Sequence, residues 1–352
     1  MSPRSRRISA GDYDESHVRI RPNRRGSRPR SKDRPAHADA VPGFVLGVDR
    51  GRYTVLVEEH TVTAMKAREL GRKGIVVGDR VGLVGDTSGS PDALARIVRV
   101  EDRTSVLRRT ADDSDPVERV IVANADQLVV VSALVNPEPR PRLIDRCLVA
   151  AYAAGLDPLL VLTKADLADP ADFLANYAPL AVPYVVTSQD PETGQLGGLE
   201  PLRERLTGRV SVFVGHSGVG KSTLVNALVP GTDRATGVVN VVTGRGRHTS
   251  TSAVALALPS GDGWVVDTPG VRSFGLAHVD LTRIIHHFPD LEPGTDQCPR
   301  GCTHDEEECA LDEWVEQGKA GPAGPSRLES LRRLLRARSG SESGEQDTTA
   351  RA

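Results

Sequence analysis

Residues 215–223 read GHSGVGKST. The spacing Gly215-x₄-Gly220-Lys221-Ser222 is that of a P-loop. Its context fits, because the apolar run VSVFV precedes it and a helix-forming stretch, KSTLVNALV, follows. In such a loop the glycines let successive backbone N–H groups curl around phosphate oxygens. Gly215, His216, Ser217, Gly218, Val219, Gly220, Lys221, Ser222 and Thr223 are therefore the expected phosphate cradle. Lys221 is expected to reach the β/γ-phosphates and to assist their chemistry. The Ser222 hydroxyl is expected on Mg²⁺, and the following helix adds its positive N-terminal dipole.

Working outward, a second apolar strand, WVVD, ends in Asp267-Thr268-Pro269-Gly270. A carboxylate at a strand end holds Mg²⁺, and a glycine just beyond it gives its N–H to a γ-phosphate. Between the two motifs lies GRGRHTSTS, residues 244–252, the composition of a switch loop. Thr249 is the first choice for its Mg²⁺ ligand, with Ser250 and Thr251 close behind.

The remaining parts of a nucleotide site lie upstream of the P-loop. Thr163-Lys164-Ala165-Asp166 closes the apolar run PLLVLT and resembles the guanine-reading motif of GTPases, usually Asn-Lys-x-Asp. The Asp166 carboxylate would accept from guanine N1–H and the exocyclic amine. Adenine leaves such a carboxylate unpaired, and sites of this kind reject the wrong partner by roughly 10⁴-fold. Lys164 would pack along the base and ribose, whereas Thr163 keeps an oxygen but lacks the amide donor of Asn. Thr187 and Ser188, after VPYVV, stand where a further motif meets the guanine carbonyl. Read in chain order, the parts run TKAD, TS, P-loop, HTST, DTPG. An ordinary GTPase begins at the P-loop, so this is the same cycle cut elsewhere, a circular permutation that moves termini between nearby surface points.

The flanks supply two more expectations. From Val41 to Arg99, five β-rich segments (GFVLGVD, RYTVLVE, HTVTAMKA, GDRVGLVG, ALARIVRV) alternate with Gly and Asp turns. They suggest a small barrel, OB-type first, with an SH3-like barrel or a meander as alternatives. From Asp126 onward, buried strands alternate with helices, the pattern of a parallel α/β sheet covered on both faces. Near the C-terminus, Cys298-x₃-Cys302-x-His304-x₄-Cys309 offers three thiolates and an imidazole within 12 residues. A filled Cys₃His shell suits one structural Zn²⁺ per chain. Cys147, in the apolar helix IDRCLVAAY, is expected in the core. So are Leu328, Leu331, Leu334 and Leu335, which share one face of a C-terminal helix.

The net charge of -2 gives no hint of a nucleic-acid partner. It conceals a segregated N-terminus, where residues 1–37 hold eleven Lys/Arg against four Asp/Glu with almost nothing apolar. That composition cannot offset chain entropy and reads as disorder, as does the polar stretch from Ser339. No apolar run reaches membrane-spanning length, and no apolar segment follows the first basic residues as in a secretory signal. The expectation is a soluble, cytoplasmic monomer with no membrane partner.

These motifs and their joint order resemble the RsgA (YjeQ) family of circularly permuted bacterial GTPases over about residues 40–337. The residues that carry the likeness are ERVIVANADQLVVV, TKADL, GHSGVGKSTLVNAL, GRGRHTST, DTPGVRSFGL and the Cys/His cluster. The resemblance implies a multidomain chain. Its parts are an OB-type barrel (40–102), a permuted α/β P-loop GTPase domain (103–277) and a small helical zinc-binding domain (278–338); the basic tail (1–39) and the second tail (339–352), read from composition, lie outside the resemblance. It implies binding of GTP and GDP, GTP hydrolysis stimulated by the small ribosomal subunit, and contact with its rRNA. Arg103, Arg108 and Arg109, read as a linker after the barrel, are expected to add phosphate contacts. Val271 replaces the glutamine that often orients the attacking water after DxxG, so His248 is the expected substitute, from both its chemistry and the resemblance. Two departures stand out: Thr163 in place of Asn, and two cysteine loops each one residue shorter than usual. A plain RNA-binding module is disfavoured by intact Lys221, Ser222 and Asp267. A small-molecule P-loop kinase is disfavoured by TKAD and the permuted order.

Overall fold

The computed structural model describes residues 37–71, 74–110, 118–231, 253–268, 284–306 and 308–339. Five strands come first: β1 (Val41–Asp49), β2 (Arg52–Val57), β3 (His60–Lys66), β4 (Arg80–Gly85) and β5 (Ala95–Val100). Their alternation is visible in β2, where Tyr53, Val55 and Val57 point inward and Arg52 outward. Pairing runs β1-β2-β3-β5-β4, and β4 returns to β1, so the sheet closes. β3 and β5 pair in parallel and the other neighbours antiparallel. This is the OB-type barrel, with Val45, Val55, Leu83 and Ile97 fully buried inside it.

The segment expected as a linker is instead a hairpin, β6 (Val106–Thr110) with β7 (Glu118–Ala123). Next come β8 (Gln127–Ala133), α1 (Pro141–Ala154), β9 (Asp157–Thr163), α2 (Ala171–Ala175) and β10 (Tyr184–Val186). A small ribbon, β11 (Ser188–Gln189) with β12 (Leu196–Gly197), leads to α3 (Leu199–Leu206), β13 (Val210–Gly215) and α4 (Lys221–Leu228). The sheet is completed by β14 (Val254–Ala257) and β15 (Trp264–Asp267). Its order is β10-β9-β8-β13-β15-β14, parallel except for β14. Successive residues of these strands face opposite cores, as period-2 geometry requires. Leu128, Val130, Leu160 and Val212 pack on the α1 side, whereas Val129, Val131, Leu159 and Phe213 meet Leu202, Leu206, Leu224 and Val225 of α3 and α4.

Two further helices, α5 (Ala310–Glu316) and α6 (Gly324–Ser339), follow. Leu328, Leu331, Leu334 and Leu335 of α6 are buried in the same core as Ile144, Leu148 and Cys147 of α1. Arg333 of α6 pairs with the buried Asp145 of α1 at 3.0 Å.

The barrel and the α/β sheet are joined by hydrogen bonds. β1 pairs with β14 through Gly47 and Val254, and Val254 in turn pairs with Asp267. A second junction lies at the β3–β4 loop. There Ala123 N–H donates to Val77 O (3.0 Å) and Asn124 Nδ2 donates to Gly78 O (2.8 Å). A Cβ on Gly78 would sit 1.9 Å from the Ala123 carbonyl oxygen, so only glycine permits this approach. Arg103 Nε donates to Asp79 Oδ1 (2.7 Å) and Nη2 to Oδ2 (2.8 Å), with the Asp79 side chain fully buried. This corrects the expectation for Arg103. Its guanidinium is committed to an internal carboxylate and to Gly74 O (2.8 Å), away from any external phosphate.

Candidate functional site

The nucleotide motifs converge at the C-terminal ends of the parallel strands, at the junction of β8 and β13 where the winding reverses. Gly215 ends β13 so close to its neighbour that a Cβ there would meet Val131 O at 2.6 Å. The loop turns through Gly218 and Gly220, both with positive φ, into α4 at Lys221. The Lys221 ammonium pairs with the Asp267 carboxylate, and both side chains are largely buried. The structure thus brings the residue expected on the phosphates against the residue expected on Mg²⁺. Behind them the Thr268 hydroxyl donates to Phe213 O at 2.8 Å, latching the end of β15 to β13. No sequence pattern pointed to Thr268 as a latch.

The guanine motif lies alongside. Lys164 adopts a left-handed conformation (φ 63) and donates through Nζ to Asn136 O. Ala165 N–H donates to Thr187 O (3.2 Å), and Asp166 Oδ1 accepts the N–H of Gln189 (2.8 Å). Thr187 is buried and ties back to Leu162 O through its N–H (2.7 Å). TKAD and Thr187-Ser188 therefore form one hydrogen-bonded unit. Thr163 is buried, and its hydroxyl donates to Val219 O of the P-loop at 2.7 Å. His216, also expected in the cradle, sets its Nδ1 2.9 Å from Ser217 O. Expected switch residues His248, Thr249, Ser250 and Thr251, and Gly270 with Val271, lie outside the described residues.

The cysteine cluster is a second centre. One ligand atom from each of Cys298, Cys302, His304 and Cys309 lies within 4.8 Å of the others. His304 Nδ1 is 3.6, 3.7 and 3.9 Å from the Cys298, Cys302 and Cys309 sulfurs, and Cys298 Sγ is 3.9 Å from Cys309 Sγ. A tetrahedral Zn²⁺ with Zn–S of about 2.3 Å and Zn–N of about 2.0 Å has edges of roughly 3.5–3.8 Å, so the donor set fits the ion. Within the cluster His304 takes a left-handed conformation (φ 69), and its N–H donates to Cys302 Sγ (3.3 Å). Burial pushes the Cys302 thiol up to about 11 and also raises Cys298 and Cys309, while it lowers His304. A bound cation would favour the thiolate forms, because thiol ligands must be deprotonated to coordinate a metal. Outside the donors, Arg332 Nε donates to His304 O (3.1 Å) and its fork grips Asp312 at 2.9 and 2.6 Å.

The buried Cys147 behaves as expected of a core thiol, raised to about 12 by burial. Arg108 and Arg109 stand on β6, and Arg109 lies directly opposite Arg119 of β7. Like charges facing across a strand pair repel, so this arrangement favours an anionic neighbour. Among the described residues, no helix is long and apolar enough to cross a membrane.

Residues 100–277 match the model of the RsgA GTPase family. The small ribosomal subunit biogenesis GTPase RsgA of Gemmatimonas aurantiaca is 39% identical over 273 residues, covering 77% of this chain and 86% of that protein. The protein of the same name from Pseudomonas aeruginosa is 40% identical over 271 residues, 74% of this chain and 75% of its own. Among solved structures, YjeQ from Thermotoga maritima aligns with a TM-score of 0.60 at 30% identity, over 86% of this chain and 99% of that one. YloQ, a circularly permuted GTPase, aligns with a TM-score of 0.59 over 89% of this chain and all of its own; at 21% identity it speaks for the fold alone.

Proposed function

The chain belongs to the RsgA GTPase family, and from that premise we propose that it hydrolyses GTP while bound to the small ribosomal subunit. In this reading it assists late maturation of the subunit and is stimulated by it. The observation that carries the reading is the convergence of TKAD, the P-loop and Asp267 on the ends of β9, β13 and β15, in permuted chain order.

Asp166, with Lys164, Ala165, Thr187 and Ser188, selects guanine. Residues Gly215 to Thr223 cradle the phosphates, and Gly270 adds an N–H to the γ-phosphate. Ser222, Thr249 and Asp267 would hold Mg²⁺, which would supply neutralising charge to the phosphates. Lys221 then exchanges its carboxylate partner for phosphate. His248 orients the attacking water. One Zn²⁺ on Cys298, Cys302, His304 and Cys309 fixes the C-terminal helices, a structural site because the four donors fill the shell.

Contact with rRNA falls to the barrel and to Arg108 and Arg109. We further propose the division into barrel (40–102), GTPase (103–277) and zinc (278–338) parts, and a cytoplasmic monomer. The test is GTP turnover with and without purified small subunits, beside ATP. Slow intrinsic turnover, strong stimulation and no ATP competition are expected. His248→Ala should lose most stimulated turnover and keep GTP affinity. Turnover indifferent to the subunit, or equal use of ATP, overturns the reading.

A further inference from the structure

At the end of the sheet opposite the nucleotide motifs, where β8, β13 and β15 begin, the barrel and the sheet enclose a groove of about 590 Å³. Ligand sites commonly span about 300–1,000 Å³. Strands β1 and β2 of the barrel contribute Phe44 and Leu56 to one wall, and β15 contributes Trp264 to the other. The Phe44 and Trp264 rings lie with centroids 5.3 Å apart at a tilt of 50°, and both are half-buried, so aromatic surface lines the groove. The charge around it is one-sided once internal pairs are set aside. Arg209 is bound to Asp157 at 2.6 Å, which leaves Arg80 as the cation of the lining. Among the carboxylates, Glu101 is bound to Arg99 at 2.6 Å, and Asp126 gives one oxygen to the Val210 N–H at 2.8 Å. The Glu58 and Asp262 side chains are exposed and meet no cation among the described residues. Glu58, Asp126 and Asp262 against Arg80 hold a negative potential over apolar surface. Such a lining repels the phosphates of RNA. It suits a guanidinium, whose planar face stacks on aromatic rings while its edge donates to carboxylates.

We infer that this groove docks an arginine-bearing segment of a partner protein, with guanidinium groups stacked on Phe44 and Trp264 and paired to Glu58, Asp126 and Asp262. Glu58 follows β2 of the barrel, whereas Asp126 and Asp262 precede β8 and β15 of the sheet. The docked segment therefore bridges the two parts of the molecule, the length of β13 away from the phosphate loop.

The probe is an acetylated, amidated octapeptide of alternating glycine and arginine, with citrulline in place of arginine in its neutral twin. Binding to the full chain is followed by calorimetry and by the emission of Trp264, isolated by subtracting that of a Trp264→Phe variant. The arginine peptide should bind and shift the emission, and the citrulline twin should bind about tenfold more weakly or less. Glu58→Gln with Asp262→Asn should weaken the arginine peptide by about tenfold, and Arg80→Gln should tighten it by about threefold. Binding that the double variant leaves unchanged overturns the inference, as does equal affinity for the citrulline twin. Displacement of the peptide by oligouridine, itself weakened in the double variant, would make the groove an RNA site instead. A Trp264 emission that shifts with added salt before any peptide is present, and no longer does so in the double variant, would give the groove to this chain's own basic residues 1–37 and overturn the partner.

Discussion

Arg103→Ala should destabilise the protein severely while leaving its affinity for RNA unchanged. The Asp79 side chain has no solvent exposure, and Arg103 is 18% exposed. The pair is bidentate, at 2.7 and 2.8 Å, and Asp79 Oδ2 also accepts the N–H of Val76 at 2.8 Å. Removing the guanidinium leaves a buried carboxylate with a backbone donor but no counter-charge. Breaking a buried pair in this way costs about 3–5 kcal/mol, against a total stability of about 5–15 kcal/mol for a typical domain. With a urea m-value of about 3 kcal/mol/M, the midpoint should fall by 1 M or more, as an order-of-magnitude figure.

Urea unfolding followed by tryptophan fluorescence reads this directly, since Trp264 lies in the sheet beside β13. The Arg99–Glu101 pair, with both side chains near half exposed, is the internal control: Arg99→Ala should cost roughly 0–1 kcal/mol. A double variant, Asp79→Leu with Arg103→Met, should recover much of the loss, because neither charge is then stranded. A loss below about 1 kcal/mol in Arg103→Ala, accompanied by weaker RNA binding, would show that the Arg103–Asp79 pair is not a structural tie and would return Arg103 to the RNA-contact set.

Other outcomes follow from the same geometry. Arg108→Ala with Arg109→Ala should leave the urea midpoint in place and flatten the salt dependence of small-subunit binding by about one logarithmic unit per lost phosphate contact; an unchanged salt slope removes the hairpin from the interface. Elemental analysis should find one Zn²⁺ per chain. Strong chelation should expose Cys298, Cys302 and Cys309 to iodoacetamide, while Cys147, its thiol held near 12, should label only in denaturant; labelling of all four without a chelator contradicts this. Asp166→Asn should shift preference from guanine toward xanthine nucleotides, read by competition, since the amide turns one acceptor into a donor.

Local chemistry announced most of these sites. The barrel strands were legible because inward valines and leucines alternate with polar residues between Gly and Asp turns. The P-loop, TKAD and the Cys/His cluster were legible because each packs its donors into a few consecutive residues. What escaped reading is non-local. Arg103 finds Asp79 across 24 residues, and Thr163 finds Val219 across 56. Neither pairing leaves a periodic trace. The β6–β7 hairpin leaves little trace in the sequence because the Arg108-Arg109 pair interrupts its apolar pattern. The β1–β14 pairing depends on a barrel strand meeting a sheet strand more than two hundred residues later in the chain.

That last pairing bears on where the permutation cuts the chain. α3 ends at Leu206 and β13 begins at Val210, so only Thr207, Gly208 and Arg209 join them. In an unpermuted order the two chain ends would lie at this joint, close enough for so short a bridge. The new ends fall instead before β8 and after β15, which places the barrel upstream and the Cys/His cluster downstream of the same sheet. One row of paired residues then crosses from barrel to nucleotide site: Gly47 to Val254, Val254 to Asp267, Asp267 to Phe213. Asp267 is the carboxylate against Lys221, and the residue after it is latched to Phe213 by the Thr268 hydroxyl. β14 therefore cannot slide against the barrel without disturbing the strand that carries Asp267. A flexible tether between the two parts would impose no such constraint, because it would leave the row at β14 ending in water.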